Sequence, residues 1–183
     1  MNEPKVILVT GIMASGKSTV AQLLAERMNP SVHLRGDMFR KMIVNNRREM
    51  TPDAGEAQLE QLRLRYRLAA QAARTYAEAG FTVIVQDVVV GKVLDDFITY
   101  MTYRPFHVAV LCPEPGAVAE REANRGKKGY GAWTVEALDH VLREETPKVG
   151  IWLDSTRLTA EETAAELLKR LEGDPGIGGS RTG

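Results

Sequence analysis

Cysteine is nearly missing from this chain. Cys112 is the only one among 183 residues, so no internal disulfide can form and a reducing, cytoplasmic setting is expected. It closes an apolar run and reads as a small buried residue rather than a reactive thiol. An excess of charge is missing too: Lys+Arg and Asp+Glu are 24 each. No overall field would therefore draw nucleic acid or an anionic membrane to the surface. No apolar stretch approaches the roughly 20 residues of a membrane-spanning helix. The first strand is expected by Lys5, which leaves no room for a signal peptide. The three histidines, His33, His107 and His140, lack metal-ligand spacing and read as structural. No internal repeat is visible.

What is present begins with an apolar run, Val6-Ile7-Leu8-Val9, and the stretch that follows it, Gly11-Ile12-Met13-Ala14-Ser15-Gly16-Lys17-Ser18. This fits G-x-x-x-x-G-K-[ST], for which a chance match in a chain of this length is on the order of one in a hundred. Gly11 and Gly16 let the backbone approach a polyphosphate closely, and successive N–H groups then form an anion nest at a helix N-terminus. Gly11, Ala14, Ser15, Gly16, Lys17, Ser18 and Thr19 are the candidate phosphate-binding set. Lys17 would reach the β- and γ-phosphates, and the Ser18 hydroxyl would ligate Mg²⁺. Val20, Leu23, Leu24 and Met28 give the next segment an apolar helical face. ATP and Mg²⁺ are the expected ligands.

With 44% hydrophobic and 26% charged residues, the composition is that of an ordinary globular domain, expected over residues 1–172. Strands are expected at Val6–Thr10, Val32–Leu34, Phe81–Val85, Phe106–Leu111 and Val149–Leu153. Helices are expected near 18–28, 37–49, 53–79, 91–102, 114–124, 134–145 and 159–171. Such alternation predicts an α/β fold with a doubly wound, five-stranded parallel sheet and ligands at the strands' carboxyl ends. The Gly-rich tail 173–183 is expected to be disordered.

Candidate chemistry lies where strands end. Asp37, after the second strand, could take a proton from an acceptor hydroxyl, or could simply N-cap a helix. Arg40, one turn on, could hold an acceptor or face solvent. Asp87 ends the third strand, where an acid can hold Mg²⁺, with a helix N-cap as the competing role. Arg121 and Arg125 share a helix face before the basic, glycine-rich loop Gly126-Lys127-Lys128-Gly129-Tyr130-Gly131. Residues 125–132 read as a lid, with an arginine stabilising charge on the transferring group. The long helix carries a seam of Leu59, Leu62, Tyr66, Ala69, Ala73 and Tyr76. Arg63, Arg67 and Arg74 flank it, and could border an acceptor pocket for an anionic compound or form a solvated face. Thr159 and Glu162 form a capping-box pattern.

Together the phosphate loop, Asp37, Asp87 and Arg121/Arg125 before a lid resemble small-molecule P-loop kinases. The nearer resemblance is to chloramphenicol phosphotransferase-like and tunicamycin-resistance ATP-binding proteins, over residues 5–170 as layout. It implies a nucleoside-monophosphate-kinase-like P-loop fold with substrate-binding helices over about 37–79. It also implies Mg²⁺-ATP-dependent transfer to a small-molecule hydroxyl, an antibiotic among the candidate acceptors, with Asp37 as general base and Lys17, Arg121 and Arg125 as catalytic charges. Chloramphenicol phosphotransferases tend to end the third strand in paired acids; here Gln86 precedes Asp87, so metal ligation rests on one carboxylate. A nucleotide-dependent switch lacks its guanine motif. A kinase of nucleotides or nucleic-acid ends, and an ATP-binding protein that only sequesters a drug, remain alternatives; stable nucleic-acid binding is not expected.

Overall fold

The computed structural model describes residues 3–125 and 129–178. Its strands are β1 (Val6–Gly11), β2 (Ser31–Arg35), β3 (Thr82–Gln86), β4 (Phe106–Leu111) and β5 (Ile151–Leu153). All pair in parallel, in the order β2-β3-β1-β4-β5. Every residue of β1 and β4 is buried, because helices cover both faces of the sheet. The helices are α1 (Lys17–Glu26), α2 (Asp37–Lys41), α3 (Glu56–Glu78), α4 (Val93–Tyr100), α5 (Pro115–Ala123), α6 (Val135–His140) and α7 (Ala160–Gly173).

Successive strand residues feed opposite layers. Val6 and Leu8 join a core with Leu62, Tyr66 and Ala69 of α3 and Phe97 of α4. Ile7 and Val9 join the second core, with Leu24 of α1 and Leu167 of α7. This is the doubly wound α/β arrangement that the alternation of apolar runs predicts. Among the described residues, no helix is long and apolar enough to cross a membrane.

Several boundaries differ from the expected ones. The helix expected over 37–49 stops at Lys41, and residues 42–55 form a loop around the cleft. Val44 is 87% exposed and Asn46 takes a left-handed φ of 59°, so nothing there buries an apolar face that could hold a short helix. Gly91 has a φ of 77° and donates its N–H to Thr146 Oγ1, which delays α4 to Val93. After His140, α6 widens into a π-helical turn, Val141–Glu145. The buried stripe of α3 runs to Ala77, while Tyr76 is exposed. Thr159 and Glu162 do form a reciprocal capping box at the start of α7.

The disordered tail was expected over 173–183; Gly173 closes α7, residues 174–178 are placed, and 179–183 lie outside the described residues. Asp174 meets His107 Nδ1 at 2.7 Å, and the Ile177 N–H donates to the Phe106 carbonyl at 2.7 Å. One isoleucine packed against the core therefore anchors a stretch whose composition looks solvated.

Candidate active site

β1 delivers the chain to the phosphate loop, and α1 leaves it at Lys17. Between them Ala14 and Gly16 take positive φ values of 62° and 94°. Ala14 is the notable one, because a left-handed alanine is strained and such strain clusters at ligand sites. The Ser15 N–H closes the turn on the Ile12 carbonyl at 3.2 Å. Ser18 and Thr19 open onto the cleft from the first turn of α1; Ser15 is buried, with its Oγ unpartnered. Lys17 is buried and donates from Nζ to the Ile12 carbonyl at 2.7 Å. Burial lowers its ammonium from 10.5 to about 8, against the opposing pull of Asp87.

Two acids meet beside this loop because β2 and β3 end together. The Gly36 N–H donates to the Gln86 carbonyl at 2.9 Å, which lays the turn before α2 against the end of β3. A Cβ on Gly36 would sit 2.3 Å from Asp87 Oδ2, so this approach requires glycine. Asp87 itself is 4% exposed. Its Oδ1 accepts from Arg65 Nη2 at 3.1 Å and from the Val88 N–H at 2.8 Å, while Oδ2 has no partner. Burial raises this carboxyl above its usual range, and Arg65 opposes the rise. The following loop is pinned twice: Thr10 Oγ1 and Val89 exchange hydrogen bonds, and Tyr66 Oη donates to the Val88 carbonyl at 2.6 Å. Asp87 caps no helix, since α4 begins six residues later, at Val93.

Asp37 opens α2 without a capping hydrogen bond; Gly36 holds the N-cap position. The acid lies on the cleft wall, with Arg40 Nε at 2.7 Å and Lys41 Nζ at 3.0 Å. Partial burial pushes its carboxyl upward, but the hydrogen bonds from Arg40 and Lys41 outweigh it and hold the carboxyl below its usual range.

On the far wall, Arg121 of α5 donates to the Ser155 carbonyl at 3.0 Å, and Arg125 pairs with Glu122 at 3.4 Å. Of the expected lid, Gly126, Lys127 and Lys128 lie outside the described residues. Tyr130 Oη donates to the Met13 carbonyl of the phosphate loop at 2.7 Å. Trp133 Nε1 donates to the Met50 carbonyl at 3.2 Å. A four-residue stretch thereby touches both the phosphate loop and the loop that follows α2.

These walls enclose an open cleft of about 1660 Å³. Its apolar lining includes Met38, Met50, Leu62, Val90, Trp133 and Leu138. Two of the bordering arginines are engaged by several carboxylates. Arg40 bridges Asp37 and Glu49, and Arg63 contacts Glu56, Glu60 and Asp96. Arg67 does not line the cleft; it stacks on Tyr100, 5.5 Å from the ring centre. Arg65 lines it instead, and was missed from sequence. On the helix wheel it flanks Leu62 and Tyr66 no more closely than Arg63 does, and its partner Asp87 is 22 residues away, so the sequence carried no signal that singles it out. Tyr130 and Trp133 were likewise not singled out.

The donor set fits a magnesium nucleotide. The buried, unpartnered Asp87 Oδ2 and the exposed Ser18 supply hard oxygen atoms beside a strained anion nest. Among the described residues no group of three or more His, Cys, Asp or Glu could hold a metal ion.

A parallel sheet in this order, with a phosphate loop after the central strand, defines a P-loop kinase fold. Residues 4–172 match the chloramphenicol phosphotransferase-like protein family, and the chain belongs to it. It is thus a member of a phosphotransferase family. Solved structures agree on the fold. A Janibacter sugar kinase is 19% identical, with a TM-score of 0.72 over 92% of this chain and 95% of that one. The Mycobacterium tuberculosis APS kinase, solved with AMPPNP and APS, is 20% identical, with a TM-score of 0.68 over 94% and 99%. The Deinococcus radiodurans tunicamycin resistance protein is 17% identical, with a TM-score of 0.65 over 92% and 95%.

Proposed function

We propose that this protein transfers the γ-phosphoryl group of ATP to a hydroxyl of an amphipathic small molecule that carries little net charge. The observation that carries the acceptor class is the pairing of Arg40 and Arg63 with carboxylates above an apolar cleft lining. An anionic acceptor at Arg40 or Arg63 would have to displace these carboxylates, whereas an uncharged one meets methionine, leucine and tryptophan surface.

The acceptor oxygen attacks the γ-phosphorus, the bond to the β,γ-bridging oxygen breaks, and ADP leaves with that electron pair. Asp37 receives the acceptor's proton. Its ion pairs with Arg40 and Lys41 keep it ionised, and so able to accept, before the acceptor arrives. The phosphate-loop N–H groups and Lys17 hold the phosphates, and Arg121 and Arg125 face the same space from α5 and the residues after it. Ser18 and Asp87 would hold Mg²⁺, which when bound neutralises phosphate charge.

The family's name puts chloramphenicol first on a panel of acceptors, followed by other antibiotics, nucleosides, sugars and sugar phosphates. Incubation with γ-labelled ATP should move label into a neutral hydroxyl compound. Binding of a drug with no transfer would replace catalysis by sequestration. Label found only in the sugar phosphates would overturn the acceptor class.

A further inference from the structure

We infer that Arg65 is a positioning residue for Asp87: it fixes which carboxylate oxygen is presented to the cation that accompanies the nucleotide. The inference rests on the magnesium-nucleotide reading of the cleft. Asp87 has two oxygens in unlike settings. Oδ1 takes both donors in reach, Arg65 Nη2 and the Val88 N–H, while Oδ2 is buried, unpartnered and pressed against Gly36. A carboxylate without Arg65 could turn about its Cβ–Cγ bond, because one backbone N–H alone does not distinguish the two oxygens. Two donors on Oδ1 and a glycine face against Oδ2 select one orientation.

Besides Asp87, the Arg65 guanidinium lies over the Tyr66 ring, 5.5 Å from its centre. It is mostly buried, makes one side-chain hydrogen bond, to Asp87, and leaves Nε without a partner. Burying a cation so sparsely bonded is costly, and a leucine or methionine would join α3 to β3 more favourably. Holding an acid for a ligand accounts for that cost. Outer residues of this kind typically change metal affinity by about 10–100-fold.

The test is binding of a fluorescent ATP analogue titrated with Mg²⁺ and then Mn²⁺, for the wild type, Arg65→Gln, Arg65→Lys, Asp87→Asn and the Arg65→Gln/Asp87→Asn double variant. Arg65→Gln should need about 10–100-fold more cation for half-maximal enhancement, with nucleotide affinity in EDTA unchanged. Arg65→Lys, which keeps the charge and one donor, should fall between it and wild type, and it carries the test if the glutamine variant does not fold. In the Asp87→Asn background the Arg65 change should have no further effect on cation dependence. A lower melting temperature with unchanged cation dependence would make Arg65 a structural tie and overturn the inference. If the wild type itself fails to bind the nucleotide, the underlying reading of the cleft falls first, a result distinct from a failure of Arg65 alone.

Discussion

The two halves of the cleft are built differently. The phosphate half is contiguous in sequence: residues 11–19 make a turn whose functional atoms are largely backbone N–H groups, fixed by local φ values and one helix start. The half proposed to take the acceptor is assembled from far-apart pieces, namely α2, the loop over 42–55, α3 and the stretch around Trp133. Ion pairs such as Arg63–Asp96, 33 residues apart, and the Trp133–Met50 hydrogen bond, 83 residues apart, hold it together. A site made of backbone keeps its chemistry whatever the acceptor is. A site made of side-chain pairs can change its acceptor by changing any one of them.

That contrast is broken most severely at Lys17. Saturating Mg²⁺-ATP, at 100 times its Kd, should stabilise the wild type by about 2.7 kcal/mol, which is roughly 5–10 °C for a domain of this size. Lys17→Ala should lose most of that shift in a thermal melt, while acceptor binding without nucleotide persists. Loss of both together would join the halves into one site.

Proton linkage separates the halves next. Free in the fold, Lys17 holds its proton only up to about pH 8, whereas the unfolded chain holds it to 10.5. Between those values the unfolded state binds more protons, so the stability of the free protein should rise with pH there. Bound phosphates favour the ammonium, so nucleotide affinity should fall across the same window, by up to about tenfold per pH unit. Calorimetric titration from pH 7 to 10 measures this, and Lys17→Met should flatten both trends. An equal slope in Lys17→Met would assign the proton elsewhere.

The smallest effects belong to the two contacts of the stretch that spans the cleft. Tyr130→Phe removes the hydrogen bond to Met13 and should weaken nucleotide binding by a few fold, the equivalent of about 1 kcal/mol. Trp133→Phe removes the bond to Met50 and should raise the acceptor KM to a similar extent, with nucleotide affinity unchanged. Steady-state kinetics on both variants sharpens the comparison; effects that do not separate would mean that the stretch acts as one unit.

The same division explains what could be read from sequence. The apolar runs of β1, β3 and β4 and the glycine spacing of the phosphate loop are local signals, and local geometry realises them. That Asp37 and Asp87 each follow a strand was legible, but the approach of Gly36 to Asp87 that joins the two strand ends is tertiary. Arg65 could not be told from Arg63 and Arg67 without knowing that Asp87 faces α3. The end of α2 was invisible for a related reason: what holds residues 42–49 as a loop is tertiary, with Gln61 of α3 bonded to the Asn46 carbonyl and the Arg48 N–H, and Arg40 paired with Glu49.

Asp37 stands where the two halves meet, and Asp37→Asn tests the account most directly. Asparagine preserves shape and removes the basic charge. With an identified acceptor, turnover should fall by roughly 10²–10⁴-fold while Mg²⁺-ATP binds as in the wild type. Turnover near that of the wild type would contradict proton transfer to Asp37.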